Sequence, residues 1–306
     1  MAEQVFINDV GPRDGLQNQA KVLTPEQRLQ LVSALVDAGL SAIEVGSFVL
    51  PSAVPAMAGT DKVIEGLPGG IASTDVYYSV LVPNQKGFQL AQASGARCIE
   101  MVVASTETMN TENIRRTTEQ AMAGCEQMIS LAKTDSIDSL ACISTAWECP
   151  FEGLVDAEVV IKMTDQMFAW GATRVIIADT IGAAGPDAVY ELMSSLTERF
   201  GAHNLACHFH DTRGMGVANT YAALSAGIRH FDASVGGLGG CPFAPGATGN
   251  VATEDVALML SQASYETGID LKKLVAAADL AGEMTGSPTG GHSSRWLKRQ
   301  IEKEAL

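Results

Sequence analysis

His208 and His210, separated by a single residue, form the sharpest chemical signal in the chain. They lie in and just beyond the apolar run Leu205–Phe209. In a strand, residues i and i+2 point to the same side, so the two imidazoles can face one divalent ion. A pair of satisfied core or rim histidines would leave the same local trace. Asp14 and Asn250 add oxygen donors. The mixed nitrogen and oxygen set suits an octahedral Mg2+ or Mn2+ with positions left for substrate oxygens. Zn2+ accepts the same donors, but no thiolate cluster favours it. Arg13 adjoins Asp14, either as a rim salt bridge or as a guanidinium held for a developing negative oxygen. Glu44 stands in the apolar run Ala42–Val45. Burying an unpaired carboxylate is costly, so Glu44 should pair with a cation such as Arg13 or handle a proton. Cys241 follows Gly236, Gly237, Gly239 and Gly240 and precedes Pro242. Those glycines permit movement. The thiol reads as an acid carried on a mobile lid, or as an incidental thiol in a flexible loop.

These residues are far apart in sequence, so a scaffold must gather them. Short apolar runs recur at 5–7, 42–45, 76–82, 98–103, 140–143, 174–178, 205–209 and 231–235. They are rich in Val and Ile and mostly lack polar alternation, as strands buried on both faces of a parallel sheet do. Helical patterns lie between them. Thr24-Pro25-Glu26-Gln27 offers an N-cap, Pro at the first helical position and a capping-box Gln, and Gly39 can end that helix. Further helices are expected over 86–94, 111–132, 156–169, 186–199, 216–226 and 253–266, with a weaker one over 51–66. Eight strand–helix units fit a (β/α)8 TIM barrel, residues 1–306 forming one catalytic domain with 270–306 as a helical extension. A doubly wound open sheet has the same periodicity. Barrel enzymes carry their chemistry at the C-terminal ends of the strands, and Arg13, Asp14, Glu44, Asp179, Thr180, His208, His210 and Asn250 fall in such places.

Composition excludes some roles. The chain has 306 residues, 46% hydrophobic and 18% charged, with a net charge of −15. That is a folded globule whose field opposes nucleic acid and anionic membranes. No run of about 18 apolar residues suits a membrane span, and Met1-Ala2-Glu3-Gln4 lacks the order of a signal peptide. The six cysteines (98, 125, 142, 149, 207, 241) contain no CxxC pair, so reduced thiols in a cytoplasmic enzyme are expected. Cys98, Cys125, Cys142 and Cys207 read as core packing; Cys149 is open.

The stretch Val10-Gly-Pro-Arg-Asp-Gly-Leu-Gln-Asn18 resembles the opening signature of 3-hydroxy-3-methylglutaryl-CoA lyases. Ser47-Phe48-Val49, Pro83–Phe88, Asp179-Thr180-Ile181-Gly182, His208–Thr212 and Gly236–Gly249, followed by Asn250–Asp255, are similar to that family too. The matches run in order from residue 10 to about residue 260. The resemblance implies a (β/α)8 barrel that cleaves a 3-hydroxyacyl-CoA in a retro-Claisen step, giving acetyl-CoA and a keto acid. It implies metal binding by Asp14, His208, His210 and Asn250. It assigns catalysis to Arg13, Glu44 and Cys241, with Asp14 or His208 taking the hydroxyl proton. Arg13, Gln17, Lys21, Asp179 and Thr180 are expected to contact the acyl-CoA. Lys21 and the basic run Arg295, Lys298 and Arg299 are candidates for contact with the coenzyme A phosphates, or the run belongs to a solvated tail helix. An assembly of identical chains, dimer or larger, is expected. Cys142 stands where the family often has Tyr, and Ile176 where it has Ser. Phe151 replaces the Tyr of a Cys-Pro-Tyr-Glu-Gly motif, and a family Trp is absent from Ser52–Pro55. These changes bear on the acyl group more than on the reaction. Citramalyl-CoA or a longer-branched 3-hydroxyglutaryl-CoA is the alternative substrate. A condensing acyltransferase is disfavoured by the Cys241 lid.

Overall fold

The computed structural model describes residues 2–240 and 249–304. Among them, eight parallel strands close into a barrel. They are β1 (Phe6–Asp9), β2 (Ala42–Ser47), β3 (Tyr77–Leu81), β4 (Cys98–Ala104), β5 (Asp138–Ser144), β6 (Arg174–Asp179), β7 (Leu205–Phe209) and β8 (His230–Ala233). β8 pairs with β1 in parallel register, Asn8 beside Asp232, which closes the ring and rules out the open sheet. The fold is the expected (β/α)8 barrel.

The helices follow local signals. α1 (Pro25–Asp37) begins at Thr24, whose hydroxyl accepts from Gln27 N while the Gln27 side chain accepts from Thr24 N. Gly39 turns the chain at φ +93°, and a Cβ there would meet Gly268 O at 2.3 Å. Only glycine fits both demands. The segment after β2 holds α2 (Thr60–Glu65), and α3 is Gln85–Ala93. The helix expected over 111–132 is two helices, α4 (Glu107–Ile114) and α5 (Thr118–Thr134). Arg115 takes the left-handed conformation at φ 55°, and Thr117 and Gln120 form a second capping box. That Thr-x-x-Gln pattern restarts a helix and outweighs the continuous helical propensity. α6 (Ala157–Trp170), α7 (Pro186–Phe200), α8 (Gly216–Ser225) and α9 (Thr253–Gln262) complete the ring. α10 (Leu271–Thr285) packs on α1, and α11 (Ser294–Glu302) packs on α10.

Strand alternation divides the core in two. Ile43, Val45, Ile143, Val175 and Ile177 join Leu31, Leu35, Leu192 and Leu196 of the helices in the main apolar layer. Fully burying each such side chain contributes about 1.5–3 kcal/mol. Cys98, Leu140, Cys142, Ile176, Ala178 and Ala206, with Val102, form a separate cluster on the alternate positions, inside the barrel. The strands on the opposite side place Glu44, Ser79 and Asp232 at buried positions. The interior thus has an apolar sector on β4–β7 and a polar one from β8 round to β4.

Candidate active site

The first strand delivers two site residues through an unusually tight turn. Gly15 N donates to Val10 O at 3.1 Å, a five-residue π-type turn over Gly11–Gly15. Such turns are rare and frequently mark functional sites. Asp9 anchors it: its Oδ1 accepts from Gly11 N at 2.9 Å and its Oδ2 from Thr253 Oγ1 at 2.7 Å. A Cβ on Gly15 would lie 2.8 Å from Ser234 Oγ and 2.9 Å from Leu238 Cβ. The turn therefore packs directly on the chain leaving β8 and swings Arg13 inward.

Arg13 is only 7% exposed. Its Nε donates to Glu44 Oε2 at 2.6 Å and its Nη1 to Asp14 Oδ1 at 2.7 Å, and its Nη2 lies 3.8 Å from Glu100 Oε1. Burial opposes the guanidinium charge, but Glu44, Asp14 and Glu100 outweigh it and hold the pKa above its usual range. Burial likewise pushes Asp14 up, yet Arg13, His208 and His210 prevail and hold it near 2. Asp14 is ionised at neutral pH.

β7 and the segment after β8 complete the group. His208 Nδ1 meets Asp232 Oδ2 at 3.1 Å, which leaves Nε2 free for a ligand bond. Burial lowers the His208 pKa, but the Asp232 hydrogen bond more than compensates and raises it. Burial and the neighbouring His208 depress His210 to about 4, so it stays neutral. Asn250 bridges to His210 across an antiparallel backbone pair. Its Nδ2 donates to Asp14 Oδ2 at 2.8 Å and to Leu238 O at 3.1 Å. Asp14, His208 and His210 bring ligand atoms within 4.8 Å of one another. Asn250 Oδ1 and His210 Nδ1 are buried with no hydrogen-bond partner. Leaving such an atom unpaired costs about 1–3 kcal/mol. Two orphaned donors of the metal-binding type, beside an ionised carboxylate and a neutral imidazole, fit a divalent cation.

A family model described as HMGL-like matches residues 4–281. The chain belongs to the HMGL-like family. A hydroxymethylglutaryl-CoA lyase of Pseudomonas mevalonii is 41% identical over 270 residues, covering 88% of this chain and 89% of that protein. An (R)-citramalyl-CoA lyase of Chloroflexus aurantiacus is 40% identical over 293 residues, 94% of this chain and 92% of that one. The crystal structure of hydroxymethylglutaryl-CoA lyase from Pseudomonas aeruginosa superimposes with a TM-score of 0.93 at 36% identity, covering 98% and 99% of the two chains. This HMGL-like chain is accordingly an enzyme of the carbon–carbon lyase type, as the sequence resemblance implied.

Other residues of this HMGL-like chain expected at the site make contacts of their own. The Asp179 carboxylate accepts from Ala183 N at 2.9 Å and Ala184 N at 3.0 Å, closing the turn after β6. Thr180 Oγ1 accepts from Thr145 N at 2.8 Å and ties that turn to the end of β5. Gln17 is half-buried beyond the π-type turn, and Lys21 is exposed. Lys298 pairs with Asp279 of α10, while Arg295 and Arg299 are exposed and Leu297 is buried, the pattern of an amphipathic tail helix. Cys241 lies outside the described residues. Cys149 is buried and accepts from Thr106 Oγ1 at 3.0 Å.

Two site residues were missed in sequence. Glu100 stands alone in the apolar run Cys98–Ala104, the same signal that singled out Glu44. Asp232 lies in Phe231–Val235, and only its contacts with His208 and Asn8 reveal its place.

Proposed function

We propose that the chain cleaves a 3-hydroxyacyl-CoA thioester by retro-Claisen carbon–carbon cleavage, with 3-hydroxy-3-methylglutaryl-CoA as the leading substrate and acetyl-CoA and acetoacetate as products. One observation carries the reading. A buried guanidinium, held at 2.6 and 2.7 Å by carboxylates, adjoins the cluster of Asp14, His208 and His210 at the mouth of a barrel, with Asn250 hydrogen-bonded to Asp14. Asp14, His208, His210 and Asn250 would hold Mg2+ or Mn2+ in preference to Zn2+, and the bound ion supplies Lewis-acid stabilisation for the hydroxyl and carboxylate oxygens of the acyl group. Asp14 or His208 takes the hydroxyl proton. The adjacent carbon–carbon bond then breaks, and its electron pair enters the thioester carbonyl. Arg13 stabilises that enolate oxygen, and Glu44 fixes the fork by its bond to Nε. Cys241 protonates the enolate carbon, completing acetyl-CoA.

Citramalyl-CoA or a longer-branched 3-hydroxyglutaryl-CoA is the second reading. The similarity to a (R)-citramalyl-CoA lyase supports the first, and the apolar interior sector of Val102, Cys142, Ile176 and Ala178 supports an apolar branch. We also read the enzyme as cytoplasmic and homo-oligomeric. The five described cysteines are all free and buried, in keeping with a reducing compartment. No helix among the described residues is long and apolar enough to cross a membrane.

The test is a panel of these thioesters assayed with Mg2+ or Mn2+, following acetyl-CoA and the keto acid. Release of acetoacetate from the hydroxymethylglutaryl ester at the highest kcat/KM is expected. Faster turnover of the citramalyl ester moves the assignment to the second reading, and turnover of none removes the lyase function. Cys241→Ala should abolish product formation; unimpaired cleavage would remove the thiol from the mechanism.

A further inference from the structure

The surroundings of Arg13 pose a charge problem. Its guanidinium meets Asp14, Glu44 and Glu100. If all three carboxylates were ionised, the group would carry two surplus negative charges, and it would repel an enolate oxygen rather than stabilise it. Asp14 is committed to the ligand set. The balance is therefore decided by Glu44 and Glu100.

These two residues approach the same guanidinium from β2 and β4, with β3 between them. Glu44 is 0% and Glu100 2% exposed. Each keeps one buried oxygen with no hydrogen-bond partner, Glu44 Oε1 and Glu100 Oε2. Ser79 Oγ, on the β3 residue in register with Glu44, is equally unpartnered. Two carboxylates in one desolvated site do not both ionise readily, because each charge disfavours the other. A carboxyl that keeps its proton becomes a donor, and it removes one of the surplus charges.

We propose that Glu100 is a positioning residue for the reaction: Glu44 and Glu100 hold one proton between them while both face Arg13, so that the guanidinium stays electropositive toward the thioester oxygen. The catalytic part of this inference rests on the lyase reading; the shared proton does not. The groups that face Glu100 agree with it. They are Glu44 from β2, Arg13 and Asp14 from the turn after β1, Asp232 from β8, Cys142 from β5 and Cys98 on its own strand. Only Arg13 among them is cationic. Burial, reinforced by Glu44, pushes Glu100 well above the usual carboxylate range, and burial lifts Glu44 to about 7 against the pull of Arg13. A shared proton belongs to the pair rather than to either residue.

Two measurements on the full chain with Mg2+ decide it. The first needs no turnover. With glutamate labelled by 13C at the side-chain carboxyl, the wild-type spectrum at neutral pH should contain a protonated-carboxyl resonance that disappears in both Glu100→Gln and Glu44→Gln. Its absence from the wild type, or its survival in either variant, overturns the shared proton. The second is the pH profile of kcat. Glu100→Gln leaves beside Glu44 a neutral partner with no proton to lose, so the alkaline limb set by loss of the shared proton should move up by about one pH unit or more, with KM and metal affinity unchanged. A purely structural Glu100 would lower kcat at all pH values without moving the limb, and that result overturns the positioning role. A wild type that cleaves no thioester overturns the lyase reading by itself, while the resonance still decides the proton.

Discussion

Arg13 is gripped through Nε and Nη1, a geometry that needs a planar fork. Lysine offers a point charge on a flexible stem and cannot satisfy Glu44 and Asp14 together. Arg13→Lys should lower kcat by about 100-fold or more, the loss seen when one preorganised oxyanion donor is removed, with little change in metal affinity. Steady-state kinetics and a Mn2+ titration separate the two. Asp232 acts through His208 Nδ1, at 3.1 Å. Asp232→Asn keeps its shape but weakens the hold on the ring and its basicity. Metal affinity should fall about 10–100-fold, measured by calorimetric titration with Mn2+. An unchanged affinity would mean that His208 is oriented by packing alone.

The π-type turn after β1 is the element on which the site depends most. It places Arg13 and Asp14 on consecutive residues yet aims one at Glu44 and the other at Asn250. An α-helical turn with the usual four-residue spacing would rotate one of them away. The turn rests on Ser234 and Leu238 with no room for a side chain at Gly15. Gly15→Ala should therefore destabilise the fold by about 1–3 kcal/mol, as overpacking does, and weaken Mn2+ binding beyond what that loss of stability explains. Urea unfolding and metal titration on the same preparation test both parts. A variant that loses stability but binds Mn2+ normally would show that Asp14 does not depend on the turn.

At the scale of the molecule, the ligand set ties the beginning of the chain to its end. Asp14 follows β1, His208 belongs to β7 and His210 follows it, and Asn250 follows β8. An ion that binds only the folded state stabilises by mass action. Free Mn2+ at about 100 times its Kd should add about 2.7 kcal/mol, seen as a higher unfolding midpoint that EDTA reverses together with activity. Equal midpoints with and without metal would argue against a site built from these residues. Much of this was legible in sequence. Apolar runs that lack polar alternation announce strands buried on both faces. Their number and spacing announce eight strand–helix units, because each unit must cover its own strand. His208-x-His210 and Arg13-Asp14 were readable because strand and turn periodicity fixes which neighbours share a side. The break between α4 and α5 was also written in Thr117 and Gln120, although helical propensity runs through it. Ring closure through β8 and β1 could not be read, since a pairing between Phe6 and His230 leaves no local trace. Nor could the roles of Glu100, Asp232 and Asp179. A lone carboxylate in an apolar run shows only that some partner must exist. Whether that partner is a guanidinium, an imidazole or two backbone amides is decided by distances across strands that the tertiary fold alone sets.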